Sequence, residues 1–131
     1  MRVIRVLGPL FLASITIAKT CVMPKNATTG GDDTPAIISA SSSCLANSTI
    51  LFASGLTYNL LTPLSFNNLN RVKLSFEGNI TLPSNISEVE AVVKNTKVYP
   101  GHWITVKGTN VTFSGSVWDD GGWFEGKSIA D

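Results

Sequence analysis

The chain has 131 residues, 44% hydrophobic and 15% charged, with 10 Lys+Arg, 9 Asp+Glu, 1 His and 2 Cys. That apolar content excludes a disordered tail, which cannot bury enough surface to offset its conformational entropy. A formal net charge of +1 excludes a nucleic-acid binder that works by neutralising phosphates.

Met1–Ala18 reads as a secretory signal. Arg2 and Arg5 precede an apolar stretch, Val6 to Ile17, and Ala18 supplies a small residue at the cleavage point. The stretch is about 12 residues against the ~20 needed to span a bilayer, and Gly8 and Pro9 interrupt it, which argues against a membrane anchor. The product expected is secreted, extracellular and free of the membrane after cleavage. In an oxidising compartment Cys21 and Cys44 read as one disulfide rather than two buried thiols. With a single distant histidine they cannot assemble a zinc site, so no metal or cofactor is expected. Asn26, Asn47, Asn79, Asn85 and Asn110 each open an N-glycosylation sequon. Chance supplies about two at this Asn, Ser and Thr content, so the excess supports export.

A turn-rich loop, Pro24 to Gly31, leads to a helix expected over Pro35–Leu45. Thr34 can cap it, Pro35 suits its first position, and Asp32 and Asp33 place negative charge at the positive end of its dipole. Its apolar positions recur at helical spacing and carry Cys44 toward Cys21. The periodicity then changes to two, with short strands expected at Thr49–Phe52, Leu56–Leu60, Arg71–Phe76, Asn79–Leu82, Trp103–Lys107 and Val111–Ser114. In Arg71–Phe76 the apolar set Val72, Leu74, Phe76 alternates with Arg71, Lys73, Ser75, so one face is core. Glu77-Gly78 and Gly108-Thr109 serve equally as hairpins or as bends between successive faces, and sandwich, barrel and β-solenoid all fit. The interval Pro83–Gly101 reads as a lateral insertion with an amphipathic turn at Ile86–Val93.

The strings Cys21-Val-x-Pro24, Gly31-Asp-Asp-Thr-Pro-Ala-Ile37, Gly55-Leu-Thr-Tyr58, Phe76-Glu-Gly-Asn-Ile80, His102-Trp-Ile-Thr-Val-Lys-Gly108 and Gly115-x-x-x-Asp119-x-Gly-Gly-Trp123 resemble the start of secreted fungal polygalacturonases, glycoside hydrolase family 28. The resemblance covers about Cys21–Gly126. It implies an all-β right-handed parallel β-helix with an N-terminal capping helix, with residues 1–18 a signal peptide and 19–131 the N-terminal part of the domain. It also implies hydrolysis of α-1,4 bonds of pectic polygalacturonan with inversion, by a full-length monomer. The family's chemistry sits in four later motifs, Asn-Thr-Asp, Asp-Asp, Gly-His-Gly and Arg-Ile-Lys. None occurs here intact. Arg71-Val-Lys73, Asn95-Thr-Lys97, Gly101-His-Trp103 and Asp119-Asp120 are look-alikes in scrambled order.

An inverting glycosidase needs an acid and a base roughly 6.5–9.5 Å apart across the scissile bond. Asp32 and Asp33 are explained by the helix start, and Glu88 and Glu90 lie in the insertion. Asp119 and Asp120 precede Gly121-Gly122 and read as a turn. His102 has no placed nucleophile partner. No catalytic residue is therefore assigned, and the chain alone is expected to be inactive. Candidate substrate contacts remain. Trp103 can stack on a sugar ring, Lys107 can attract a carboxylate, and Arg71 and Lys73 can extend that face if their coil stacks alongside, although an ordinary solvated strand face with Trp103 packed beneath the insertion is the preferred reading. The competing function is a secreted, non-catalytic module that binds cell-wall polysaccharide. A pectate lyase would need an acidic calcium cluster that the sequence does not assemble.

Overall fold

The computed structural model describes residues 18–26, 28–115 and 124–125. The leader-like segment before Ala18, the Asp119–Asp120 pair, Trp118 and Trp123 lie outside the described residues. The elements in chain order are β1 (Lys19–Val22), α1 (Thr34–Ser41), β2 (Ala46–Phe52), β3 (Thr57–Asn59), β4 (Leu64–Phe76), β5 (Asn79–Thr81), α2 (Ile86–Lys94), β6 (Ile104–Thr109), β7 (Thr112–Gly115) and β8 (Phe124–Glu125).

Every described strand pairing is parallel. One sheet runs β1-β2-β4-β6 with β7 also on β4, and the other runs β3-β5-β8. From β2 to β5 the chain visits the two sheets in alternation; β6 and β7 then both lie along β4, on its first and second halves, before β8 returns to the other sheet. Neither linker is a hairpin: Glu77-Gly78 is a bend between sheets, since β5 pairs with β3, and Gly108-Thr109 instead ends β6, with the break before β7 falling at Asn110-Val111 and both strands pairing with β4. Gly78 and Gly108 sit where the chain passes another backbone closely. A Cβ on Gly108 would lie 2.3 Å from the Leu69 carbonyl oxygen, and one on Gly78 2.3 Å from that of Ala53.

Register stacks like on like. Ile50 faces Leu74, Phe52 faces Phe76 and Tyr58 faces Ile80. The Phe52 and Phe76 rings stack at 4.9 Å, and Tyr58 meets Phe52 edge-on at 5.1 Å. These side chains, with Leu60, Leu64, Phe66, Leu69 and Val72, form one buried core. Phe113 continues the Ile50–Leu74 column on the last described rung of that sheet and is 60% exposed.

The helix departs from expectation at both ends. It stops at Ser41, with Ser42 as its C-terminal cap, so Cys44 lies beyond it. The serine run explains this: the Ser41 hydroxyl donates to the Ile38 carbonyl (3.1 Å) and the Ser42 hydroxyl to that of Ser39 (2.7 Å), competing with backbone amides for the same acceptors. Thr34 does not cap the helix. Asp33 takes that position, and the Thr34 hydroxyl donates to the Thr62 carbonyl at 2.9 Å. Cys21 and Cys44 are joined by a disulfide that fastens β1 to the segment entering β2. The amphipathic turn at Ile86–Val93 is α2, whose N-cap Asn85 accepts a hydrogen bond from the Ser87 amide.

β4 begins seven residues before the expected strand, at Leu64. The Asn-rich stretch that reads as punctuation instead bends the strand from within, at a bulge between Phe66 and Leu69 where Asn68 has φ 59°. Its second half follows the alternation, with Val72, Leu74 and Phe76 buried and Arg71 and Lys73 exposed, but Ser75 is buried as well.

A candidate cationic cleft

Asn47, Arg71 and Asn110 share a left-handed backbone conformation, with φ of 49°, 54° and 54°. The pairings Ser48 to Val72 and Lys73 to Thr112 place them side by side on successive rungs. Asparagine tolerates this conformation, whereas for an ordinary L-residue such as arginine it costs roughly 1–2 kcal/mol. The bend turns the sheet, and an open cleft of about 380 Å³ forms along it.

Two parallel columns line this cleft together with Ala18. One is Asn47, Arg71, Asn110; the other, two residues further along each strand, is Thr49, Lys73, Thr112. The tripeptides Asn47-Ser-Thr49, Arg71-Val-Lys73 and Asn110-Val-Thr112 are thus equivalent positions on three rungs. The outer two carry amide and hydroxyl groups and the central one carries two cations. Among the described residues the ion pairs are Lys25–Asp33 and Lys94–Glu90, so neither Arg71 nor Lys73 faces a carboxylate there.

Trp103 and Lys107 are placed apart from this pair. The Trp103 indole Nε1 donates to the Leu60 carbonyl at 2.8 Å, and its ring lies 6.2 Å from that of Tyr99 at a 47° tilt, packed against the core. Lys107 is exposed on β6, which runs beside the first half of β4, and does not line the cleft. The cleft walls supplied by Asn47, Thr49, Asn110 and Thr112 are absent from the sequence-based list of substrate contacts. The available signal was the recurrence of polar-x-polar tripeptides, visible in two of the sequons.

Asp32 and Asp33 do more than start a helix. The Asp33 carboxylate is fully buried and accepts from Lys25 Nζ (2.6 Å), the Asn26 amide (2.6 Å) and the Asn59 amide (2.7 Å). Burial by itself pushes this carboxyl up. The Lys25 ammonium and the two amides outweigh it and hold the group below its ordinary value. Lys25 also donates to the Thr57 carbonyl. Asp32 accepts from the amides of Thr34 (3.1 Å) and Leu61 (3.0 Å) and from the Thr62 hydroxyl (2.6 Å). The two carboxylates thus tie the first loop and α1 to the strands, Asp33 to the end of β3 and Asp32 to the segment between β3 and β4. Tyr58 completes this region: its hydroxyl donates to the Met23 carbonyl and accepts from the Ala53 amide, and burial pushes its phenol up.

Of the sequons, Asn26 is engaged internally, its Oδ1 accepting from the Thr28 amide and its Nδ2 donating to the Asp32 carbonyl. Asn47, Asn79 and Asn110 are exposed on strands or bends. Among the described residues no group of three His, Cys, Asp or Glu side chains could hold a metal ion, and no helix is long and apolar enough to cross a membrane.

The stacked parallel strands and polar cleft are accompanied by clear sequence relatives. A protein of Aspergillus terreus named probable exopolygalacturonase C is 38% identical over 103 residues, 79% of this chain and 23% of that protein. Its namesake in Neosartorya fischeri is 33% identical over 109 residues, 81% of this chain and 24% of that protein. Exopolygalacturonase rpg13 of Rhizopus delemar is 37% identical over 98 residues, 75% of this chain and 24% of that protein. No protein-family model matches the chain. The chain is a relative of the fungal polygalacturonases, as its motifs imply, and spans about a quarter of the length of the curated relatives it matches.

Proposed function

We propose that this chain is the N-terminal portion of a secreted polygalacturonase-like hydrolase that cleaves α-1,4-galacturonosyl bonds of pectin with inversion. In this reading residues 1–18 direct export, residues 19–131 form the first coils of a right-handed parallel β-helix, and α1 caps its start. The full-length enzyme is a monomer, and the exposed sequons away from the rung bends, Asn79 and Asn85, carry glycans. The observation that carries the reading is the 38% identity over 79% of the chain to a protein named exopolygalacturonase. The laying of successive strands on two parallel sheets supports the β-helix.

Neither Asp32 nor Asp33 is free to serve as acid or base, because each carboxylate is committed to three hydrogen bonds. With those two carboxylates committed and none of the family's four catalytic motifs intact in the sequence, this chain alone is inactive in the proposed reading. The test is reducing-sugar release from polygalacturonate by the chain itself and by a chimera joining it to the remaining three quarters of a relative. The chimera is expected to turn over substrate and the chain alone is not. Turnover by the chain alone refutes this account of its acids, and an inactive but folded chimera refutes the hydrolase reading.

A further inference from the structure

We propose that the Arg71–Lys73 cleft binds the carboxylates of an acidic polysaccharide, as an anchoring site built from the rung bends and independent of any acid–base pair. The choice of a uronic-acid chain rests on the hydrolase reading above; the anion site rests on geometry alone. Two cations stand two residues apart on one strand, line a cleft of about 380 Å³, and face no carboxylate among the described residues. Cations left unpaired in a concave surface are available to a ligand, and a guanidinium fork matches a carboxylate in bidentate geometry. Arg71 is also held in a backbone conformation that its neighbours fill with asparagine. Strain of that kind persists where the surrounding structure over-determines it, and it aims the side chain at the bend.

The flanking groups fix the class of ligand. Asn47 and Thr49 on one rung and Asn110 and Thr112 on another border the two cations. With neighbouring strands about 4.8 Å apart, amide and hydroxyl groups extend roughly 5 Å to either side of the charges. This is the pattern for a chain carrying carboxylates among hydroxyl groups. A compact dianion would use the charges and leave the amides and hydroxyls idle.

The neighbouring rungs supply the control. Arg71→Asn together with Lys73→Thr makes both columns uniform, removing the charges while placing at each position the residue already accepted on the adjacent rungs. Wild type and variant, both made with the disulfide and with no N-glycan anywhere, since the double substitution writes a further sequon at position 71, are titrated by calorimetry with unesterified oligogalacturonate, methyl-esterified oligogalacturonate and inorganic phosphate. The wild-type chain is expected to bind the unesterified oligomer, more weakly as salt rises, and the other two at least about tenfold more weakly. The double variant is expected to lose about tenfold or more in affinity with an unchanged or raised thermal midpoint. Equal binding by wild type and variant, no binding by wild type, or equal binding of the esterified oligomer or phosphate overturns the site. If the variant loses its midpoint, Lys73→Thr alone is measured, and unchanged binding by it is an overturning result. The hydrolysis test above is separate, since binding here requires no turnover and survives failure of the chimera.

Discussion

Asp33→Asn is the perturbation that most directly probes the buried tie between the first loop and the strands. The substitution keeps shape and volume but replaces one carboxylate oxygen by an amide donor. The remaining oxygen can still accept from the Asn26 amide, whereas Lys25 Nζ and the Asn59 amide, at 2.6 and 2.7 Å, then face a donor. Breaking a buried ion pair costs roughly 3–5 kcal/mol, and a donor left without its charged acceptor roughly 1.5–3. The Lys25 side chain is 31% exposed and can turn to water, which places the loss near the lower bound, about 3 kcal/mol. For a domain of this size that is a fall of about 10–20 °C in thermal midpoint, read by circular dichroism at neutral pH. Because the folded carboxyl is held below its ordinary value, its stabilisation is present above the unfolded value of about 3.9 and is lost as pH falls through the folded value. The gap between wild type and variant should therefore close in acid. A variant within about 0.5 kcal/mol of wild type at neutral pH, or a gap that persists at the lowest pH where both fold, refutes the argument. Asp32→Asn is the matched control and should cost only about 1 kcal/mol, since the Thr62 hydroxyl can rotate to accept from the new amide.

Replacing Cys21 and Cys44 together by Ser releases a closure spanning 23 residues and should cost about 3 kcal/mol in urea unfolding, with reductant producing the same loss in wild type and none in the variant. Gly108→Ala forces its new methyl against the Leu69 carbonyl and should cost at least about 2 kcal/mol, against under about 1 for Gly115→Ala, whose nearest backbone atom is 3.2 Å away; equal losses on denaturant titration would contradict the close-approach argument. Arg71→Asn alone should raise the thermal midpoint, by up to about 1 kcal/mol of stability, because asparagine accepts a φ of 54° at less cost.

Much of the strand pattern was legible because one buried face imposes a period of two. Val72, Leu74 and Phe76 could be assigned inward from the residues alone, and they are. Bonds between positions far apart in sequence were not legible. Asp32 and Asp33 sit before Thr34-Pro35, and any local rule assigns them to the helix start; their partners Asn59, Leu61 and Thr62 lie over two dozen residues downstream. The first half of β4 was hidden for a related reason. Asn67, Asn68 and Asn70 look like a turn, yet pairing with β6 holds them in a strand that bends in place. The candidate site is half legible: the sequence offers Arg71 and Lys73 only as an extension of the Trp103–Lys107 face, whereas their companions in the cleft are set by register across rungs, and the Leu60 carbonyl and Tyr99 draw Trp103 elsewhere.

The circuit from Lys73 to Thr112 is much longer than the one from Thr49 to Lys73, and α2 occupies the difference, yet both circuits land on the same column. Length is thus free to vary between strands while the geometry of each step is conserved. Such a scaffold can gain or shed lateral excursions as ornaments, which makes the segment around α2 a natural place to graft a foreign loop or to trim the protein without disturbing the alignment of its charged groove.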